Sequence, residues 1–189
     1  MATPIGHGLV GFTCVLTTSK LDRRAGRAAV VVALVFSIAP DFDFLPGILL
    51  GKPALYHQGP SHSLVVALVG ALLAALIIRF RGWSLTRRFW LIFLAYASHI
   101  FIDCLGPDNR EPYGLPLFWP FSSAHFQSPI PLLPGVHHVV RTDASTGEWL
   151  RALVDWHNVR AIGIEVLVGS TLIVLVGLLR WWCRRRQAA

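Results

Sequence analysis

Four histidines and four carboxylates sit in short motifs whose spacing suits shared chemistry. In "SHIFID", His99 and Asp103 are four residues apart, which puts both on one face of a helix. In "APDFDFLPG", Asp41 and Asp43 flank a single residue just after Pro40, where one carboxylate can bridge metals while the other supports a ligand. His57 and His62 bracket a Gly-Pro turn in "HQGPSHSL", and His7 lies between glycines that permit close backbone approach in "TPIGHGLVG". Glu165 is the remaining acid on an apolar run. Neutral imidazole and carboxylate together suit Zn²⁺, Mn²⁺ or Fe²⁺, and no thiolate stands among them.

The elements that must position these groups are apolar. Hydrophobic residues make up 54% of the chain and charged residues 14%, against roughly 25% charged in a soluble domain. So few charges cannot solvate a globular surface, and lipid is expected to cover part of it. Apolar runs cover 5–19, 28–50, 63–80, 88–106 and 161–179. Only the last three approach the roughly 20 residues of an uninterrupted span, while the first is short and the second is broken at Pro40, so these two read either as spans or as short helices packed inside the bundle. The expectation is an all-α, multi-pass transmembrane helical bundle of about five membrane helices, forming one integral membrane domain over 1–189. The N-terminus shows neither the basic region nor the small-residue cleavage site of a removable signal peptide.

The net charge of +7 is not spread in the manner of a nucleic-acid surface. Lys20, Arg23, Arg24 and Arg27 form one cluster, Arg79, Arg81, Arg87 and Arg88 a second, and Arg180, Arg184, Arg185 and Arg186 a third, with Asp22 the lone acid among them. Basic residues at helix ends mark the cytoplasmic side, with Trp83, Trp90, Trp181 and Trp182 at the same interface. An anionic lipid surface or a protein partner at that face is compatible with the pattern. Counting 1.5 Å per residue upward from the clusters puts His7 at ~20 Å, Asp41 at ~21 Å, His62 at ~25 Å, His99 at ~17 Å, Asp103 at ~23 Å and Glu165 at ~22 Å. Six polar groups therefore converge on one layer near the non-cytoplasmic surface. Carboxylates at such depth are costly and mark function.

The segment 106–160 is expected to form an external cover. Seven prolines between Pro107 and Pro134 exclude a long helix, and Ser145-x-x-Glu148 opens a short amphipathic helix carrying Trp149, Leu150, Leu153 and Val154. His125, His137, His138 and His157 lie in this segment and read as surface groups, with His125 the first candidate among them for a substrate or metal contact. Cys14, Cys104 and Cys183 are widely spaced and read as free thiols.

The ordered set "GHGLVG", "PDFDFLPG", "HQGPSHSL", "SHIFIDCLGP" and "GLPLFWPFS" resembles the membrane-bound metal-dependent hydrolases related to the LexA-binding inner-membrane proteins, over about residues 4–123. The resemblance implies kinship with zinc-dependent phospholipase C-like enzymes and a site made of His7, Asp41, Asp43, His57, His62, His99 and Asp103. That family commonly has Arg directly after the first His of the third motif, where this chain has Gln58, so one cation suited to phosphate is missing.

These readings lead to one expectation: a hydrolase with one or two divalent metals, zinc foremost, acting on a lipid-linked ester or phosphoester. Asp43 or Glu165 would serve as proton acceptor, with His57 beside them. Two other classes fit part of the sequence. An ion or metal conduit predicts polar groups at several depths, and a non-catalytic adaptor makes the outer His and Asp residues dispensable.

Overall fold

Helix α4 (Leu64–Ile77) buries Ala67, Ala71 and Ala75 and turns Leu68, Leu72 and Leu76 outward. A water-soluble helix does the reverse. Small residues inside let backbones approach closely, and large apolar ones outside are what lipid solvates. The same inversion recurs in the long C-terminal helix, where Leu167, Leu175, Leu178 and Leu179 are exposed.

The computed structural model describes residues 1–18, 23–79, 82–108, 111–138 and 141–188. Lys20, Asp22 and Arg81 of the basic clusters lie outside the described residues, as do the side chains of Arg23 and Arg24. The chain is helical, with α1 (Pro4–Thr18), α2 (Arg23–Ile38), α3 (Phe44–Leu49), α4, α5 (Leu85–Leu105), α6 (Thr146–Leu153) and α7 (Trp156–Ala188). Among the described residues the only β pairing is an isolated antiparallel bridge between Leu115 and Phe126.

Three stretches are long and apolar enough to cross a bilayer: Gly26–Leu49, Leu85–Leu105 and Trp156–Gln187. This is fewer than the expected five. α1 has 15 residues and α4 has 14, short of the roughly 20 that a full span needs. In α4 the Ser63 hydroxyl caps the start by accepting from Val65 N at 3.1 Å, and the backbone leaves helical geometry at Ile78. The apolar run is longer than the helix it contains.

α1 packs against α2, α5 and α7 at the centre of the bundle. Its glycines make this contact feasible: a Cβ on Gly11 would lie 2.5 Å from Ser37 Cβ, and one on Gly6 would lie 2.6 Å from Glu165 Oε2. Arg87 donates to the Thr18 carbonyl at 3.0 Å and Arg88 to that of Ile78 at 2.6 Å, so the ends of α1, α4 and α5 near the basic residues gather at one end of the bundle. That end is filled by Val15, Ala29, Ala33, Leu91 and Ala95. The His and Asp residues lie at the other.

The Pro-rich segment caps that other end without helix. Ser128 N and Leu132 N donate to the last carbonyls of α5, Leu64 N donates to Leu117 O, and Val136 N donates to Met1 O. The expected amphipathic helix is α6, where Glu148 N donates to Ser145 Oγ and Ser145 N to Glu148 Oε2, a complete capping box.

Candidate metal centre

α2 ends at Ile38, and a 3-10 segment, Ala39–Asp43, continues it with Asp41 buried. Pro40 cannot donate into the helix, so the pitch changes here. The last carbonyls of an α-helix lack intrahelical partners. That of Ser37 accepts from His99 Nδ1 at 2.9 Å. This bond fixes the tautomer: the proton sits on Nδ1, and the lone pair of Nε2 points into the bundle.

His62 is prepared in the same way. It ends a 3-10 turn, Pro60–His62, and its Nδ1 lies 3.0 Å from Ser61 Oγ and 3.2 Å from Asp43 Oδ2. Its Nε2 then meets His99 Nε2 at 3.2 Å. Two carboxylate oxygens close the group. Asp103 Oδ2 is 3.2 Å from His99 Nε2 and 3.6 Å from His62 Nε2. Asp41 Oδ1 is 3.4 Å and 3.8 Å from the same two nitrogens.

All four residues are buried, their four ligand atoms lie within 4.8 Å of one another, and neither Asp41 Oδ1 nor Asp103 Oδ2 has a hydrogen-bond partner. Burying unsatisfied carboxylate oxygens is expensive without a cation. A tetrahedral zinc with bonds of ~2.0–2.1 Å sets its ligand atoms ~3.3 Å apart. The four contacts between imidazole and carboxylate, at 3.2–3.8 Å, fit that spacing. Burial alone would lower the pKa of His62, but Asp103, Asp41 and Asp43 raise it well above the ordinary imidazole value, so this pocket favours a positive charge.

His7 flanks the centre. Its ring stacks on that of His99 at 3.7 Å, its Nε2 is 3.4 Å from Asp103 Oδ1, and neither ring nitrogen has a hydrogen-bond partner. Ala2 N donates to Asp103 Oδ1 at 2.8 Å, which fixes the carboxylate from the other side.

Asp43 and His57 stand behind His62. They form with it a second close group, but Asp43 is already surrounded by donors: His57 Nδ1 at 2.9 Å, Ser61 Oγ at 2.7 Å, Gln58 N at 3.1 Å and His62 Nδ1 at 3.2 Å. Gln58 adopts a φ of 58°, a left-handed backbone unusual for a long side chain, as its amide meets Asp43. His57 stacks on Phe44, and burial holds its pKa low.

Glu165 is not brought to either close group. Both of its oxygens accept from Thr3, through the backbone N–H at 3.0–3.1 Å and through the hydroxyl, so it pins the N-terminal segment to α7. His125 lies apart as well, with Nδ1 on the Ser123 carbonyl. His138, which reads as a surface group in the sequence, lies beside His57 with ring centroids 6.1 Å apart. Burial, with smaller contributions from His57 and the Met1 amine, lowers its pKa to about 4. Ser37, Ser61 and Met1 also escape a reading by residue type. For Ser37 the signal was present in Pro40, which marks a helix end and hence free carbonyls.

No significant match was found among curated proteins or among solved structures. The sequence profile of an inner-membrane family, by contrast, aligns with nearly the whole chain, including every histidine and carboxylate described above. Lipid-facing leucines, spans of membrane length and this alignment over residues 1–183 agree: the chain belongs to the YdjM inner membrane protein family.

Proposed function

We propose that the protein is a membrane-embedded, metal-dependent hydrolase of a lipid-linked ester, a phosphoester ahead of a carboxylester, with its site toward the non-cytoplasmic side. The observation that carries this reading is the set of four buried ligand atoms of Asp41, His62, His99 and Asp103, drawn from three separate elements. These residues would hold one divalent ion, zinc before manganese or iron. When bound, such an ion lowers the pKa of a water ligand toward neutrality and polarises the scissile bond.

The protein groups divide by what surrounds them. The Ser37 carbonyl and Asp43 orient the two ligand imidazoles, the task of outer groups in metal sites generally. His57 and Ser61 hold Asp43 in turn. Asp43 has its oxygens occupied, and Glu165 is engaged by Thr3, so His7, with two unpartnered ring nitrogens, is the group best placed to accept a proton. Among the described residues the apolar cluster of Val15, Ala33 and Leu91 packs the bundle below the site and gives no support to an ion conduit through it. The sidedness rests on the basic clusters, and Gln58 weighs against the phosphoester more than against the carboxylester.

The test combines two measurements on detergent-purified wild-type and His62→Ala protein: elemental analysis, and incubation with phospholipids, isoprenoid phosphates and soluble phosphoesters, followed by mass spectrometry. Metal-dependent turnover of a lipid by the wild type alone supports the proposal. Turnover of soluble phosphoesters only would remove the lipid substrate, and equal behaviour of the two proteins would remove the hydrolase.

A further inference from the structure

A cavity of about 560 Å³ opens beside the candidate metal centre between the α2–α3 segment, α6 and α7. Its wall is almost wholly apolar, with Ile38, Phe42, Leu45 and Ile48 on one side and Ile162 on the other. Asp41 is the one member of the four-ligand group that lines it. The cavity is thus a mainly apolar room whose polar lining is the candidate ligand Asp41 together with Thr3, His138 and Asn158.

Its position fixes the medium it meets. Ile38, Leu45 and Ile48 belong to the Gly26–Leu49 span and Ile162 to Trp156–Gln187. Leu45 is 55% exposed, so the wall continues onto the lipid-facing surface. Water in such a room finds few polar partners, whereas hydrocarbon from the adjacent bilayer loses nothing by entering. The volume lies within the ~300–1,000 Å³ typical of small-molecule pockets.

A second observation points to a ligand with a polar part. Trp149, which the amphipathic helix α6 brings to the wall, has a buried indole N–H with no acceptor. Buried indole N–H groups usually find a partner. Trp149 lies 5.4 Å from Phe44, ring to ring, and Phe44 stacks on His57 at 3.7 Å, so the same aromatic row runs back to the residues behind the metal centre.

We infer that this cavity seats one hydrocarbon chain of a membrane amphiphile, with an ester or phosphate oxygen of that molecule accepting from the Trp149 indole and its scissile bond near Asp41. The inference rests on the metal-dependent reading and specifies it: the substrate enters sideways from the bilayer, through the mouth near Leu45.

The experiment uses the full chain in vesicles of phosphatidylethanolamine and phosphatidylglycerol containing a trace of phosphatidic acid with a diazirine at the end of one acyl chain. After illumination, labelled residues are mapped by peptide mass spectrometry, and metal is measured in the same preparation. The expected result is labelling concentrated at the apolar lining residues Leu45, Ile48 and Ile162, above the level at the lipid-facing Leu72 and Leu175. Ile162→Trp, which fills the room, should abolish most of that excess. Leu45→Trp, at an exposed wall position, should do the same at the mouth. Trp149→Phe, which keeps the ring and deletes the N–H, should weaken the excess without changing where it falls. Uniform labelling of all lipid-facing residues, or an excess that survives both tryptophan variants, would overturn the inference. Concentrated labelling in protein that never retains metal would overturn the hydrolase and leave the chain site standing. Retained metal with uniform labelling would do the opposite.

Discussion

His62 and His99 face each other Nε2 to Nε2 at 3.2 Å, while the Nδ1 of each ring is committed behind it, to Asp43 and Ser61 in one case and to the Ser37 carbonyl in the other. Two imidazole lone pairs turned together, with Asp41 and Asp103 beside them, repel one another unless something positive stands between. A proton shared by the nitrogens satisfies two of the four atoms. A divalent ion satisfies all four.

The first prediction follows from that difference. Wild-type protein purified in detergent and dialysed should carry a divalent transition metal near one per chain, and His99→Ala and Asp41→Ala should lose most of it. Because the ion binds the folded state, adding Zn²⁺ to stripped wild type should also raise its melting temperature. A folded wild-type sample that neither retains nor rebinds metal would leave the centre as a protonated His–Asp network, and elemental analysis with a thermal scan decides between the two.

Asp43→Asn should behave differently from Asp41→Asn. Asp43 touches His62 through the nitrogen turned away from the centre. Losing its charge should weaken metal binding about 10–100-fold, the usual penalty for an orienting carboxylate. Asp41→Asn removes a candidate ligand and should weaken it further. Competition with a chromogenic chelator measures both. Equal affinity for Asp43→Asn and wild type would remove the orienting role.

The contrast between these two aspartates shows where a sequence stops being readable. Their spacing marks both as candidates, but it does not say which one faces the centre. The 3-10 pitch settles that, because residues two apart on a three-residue turn diverge by roughly 120°. His99 and Asp103 were legible because α-helical spacing put them on one face. Counting along the apolar runs put Asp41, His62, His99 and Asp103 at similar heights, and these four do come together, whereas Glu165, counted to the same height, does not join them. The number of full spans was not legible, since hydropathy does not record where the Ser63 cap begins α4 or where the chain leaves it at Ile78. His138 was not either. It follows a Pro-rich stretch without periodicity, and only the bond from Val136 N to Met1 O carries its segment to the site.

Glu165→Ala should act on stability before chemistry. The carboxylate is buried, meets Thr3 through both oxygens and would collide with any side chain at position 6. Loss of hydrogen bonds to a buried charge costs about 1.5–3 kcal/mol. Thermal unfolding should therefore shift downward, while metal per folded chain stays at the wild-type level. Metal loss in a variant of unchanged melting temperature would return Glu165 to the site itself.

Sidedness can be tested with thiols. The free cysteines Cys14, Cys104 and Cys183 are first removed. Ser84 lies just before α5, near the basic end, and Ser123 lies in the Pro-rich cover; both are exposed. Ser84→Cys forfeits the cap that accepts from Arg87 N, worth about 1 kcal/mol, which a packed helix of 21 residues should tolerate. In intact cells an impermeant maleimide should label Ser123→Cys and spare Ser84→Cys, if the positive-inside pattern of Arg87 and Arg88 sets the orientation as proposed. After permeabilisation both should react. The reversed pattern would turn the bundle over, put the metal centre at the cytoplasmic face and direct the search for its lipid to the inner leaflet.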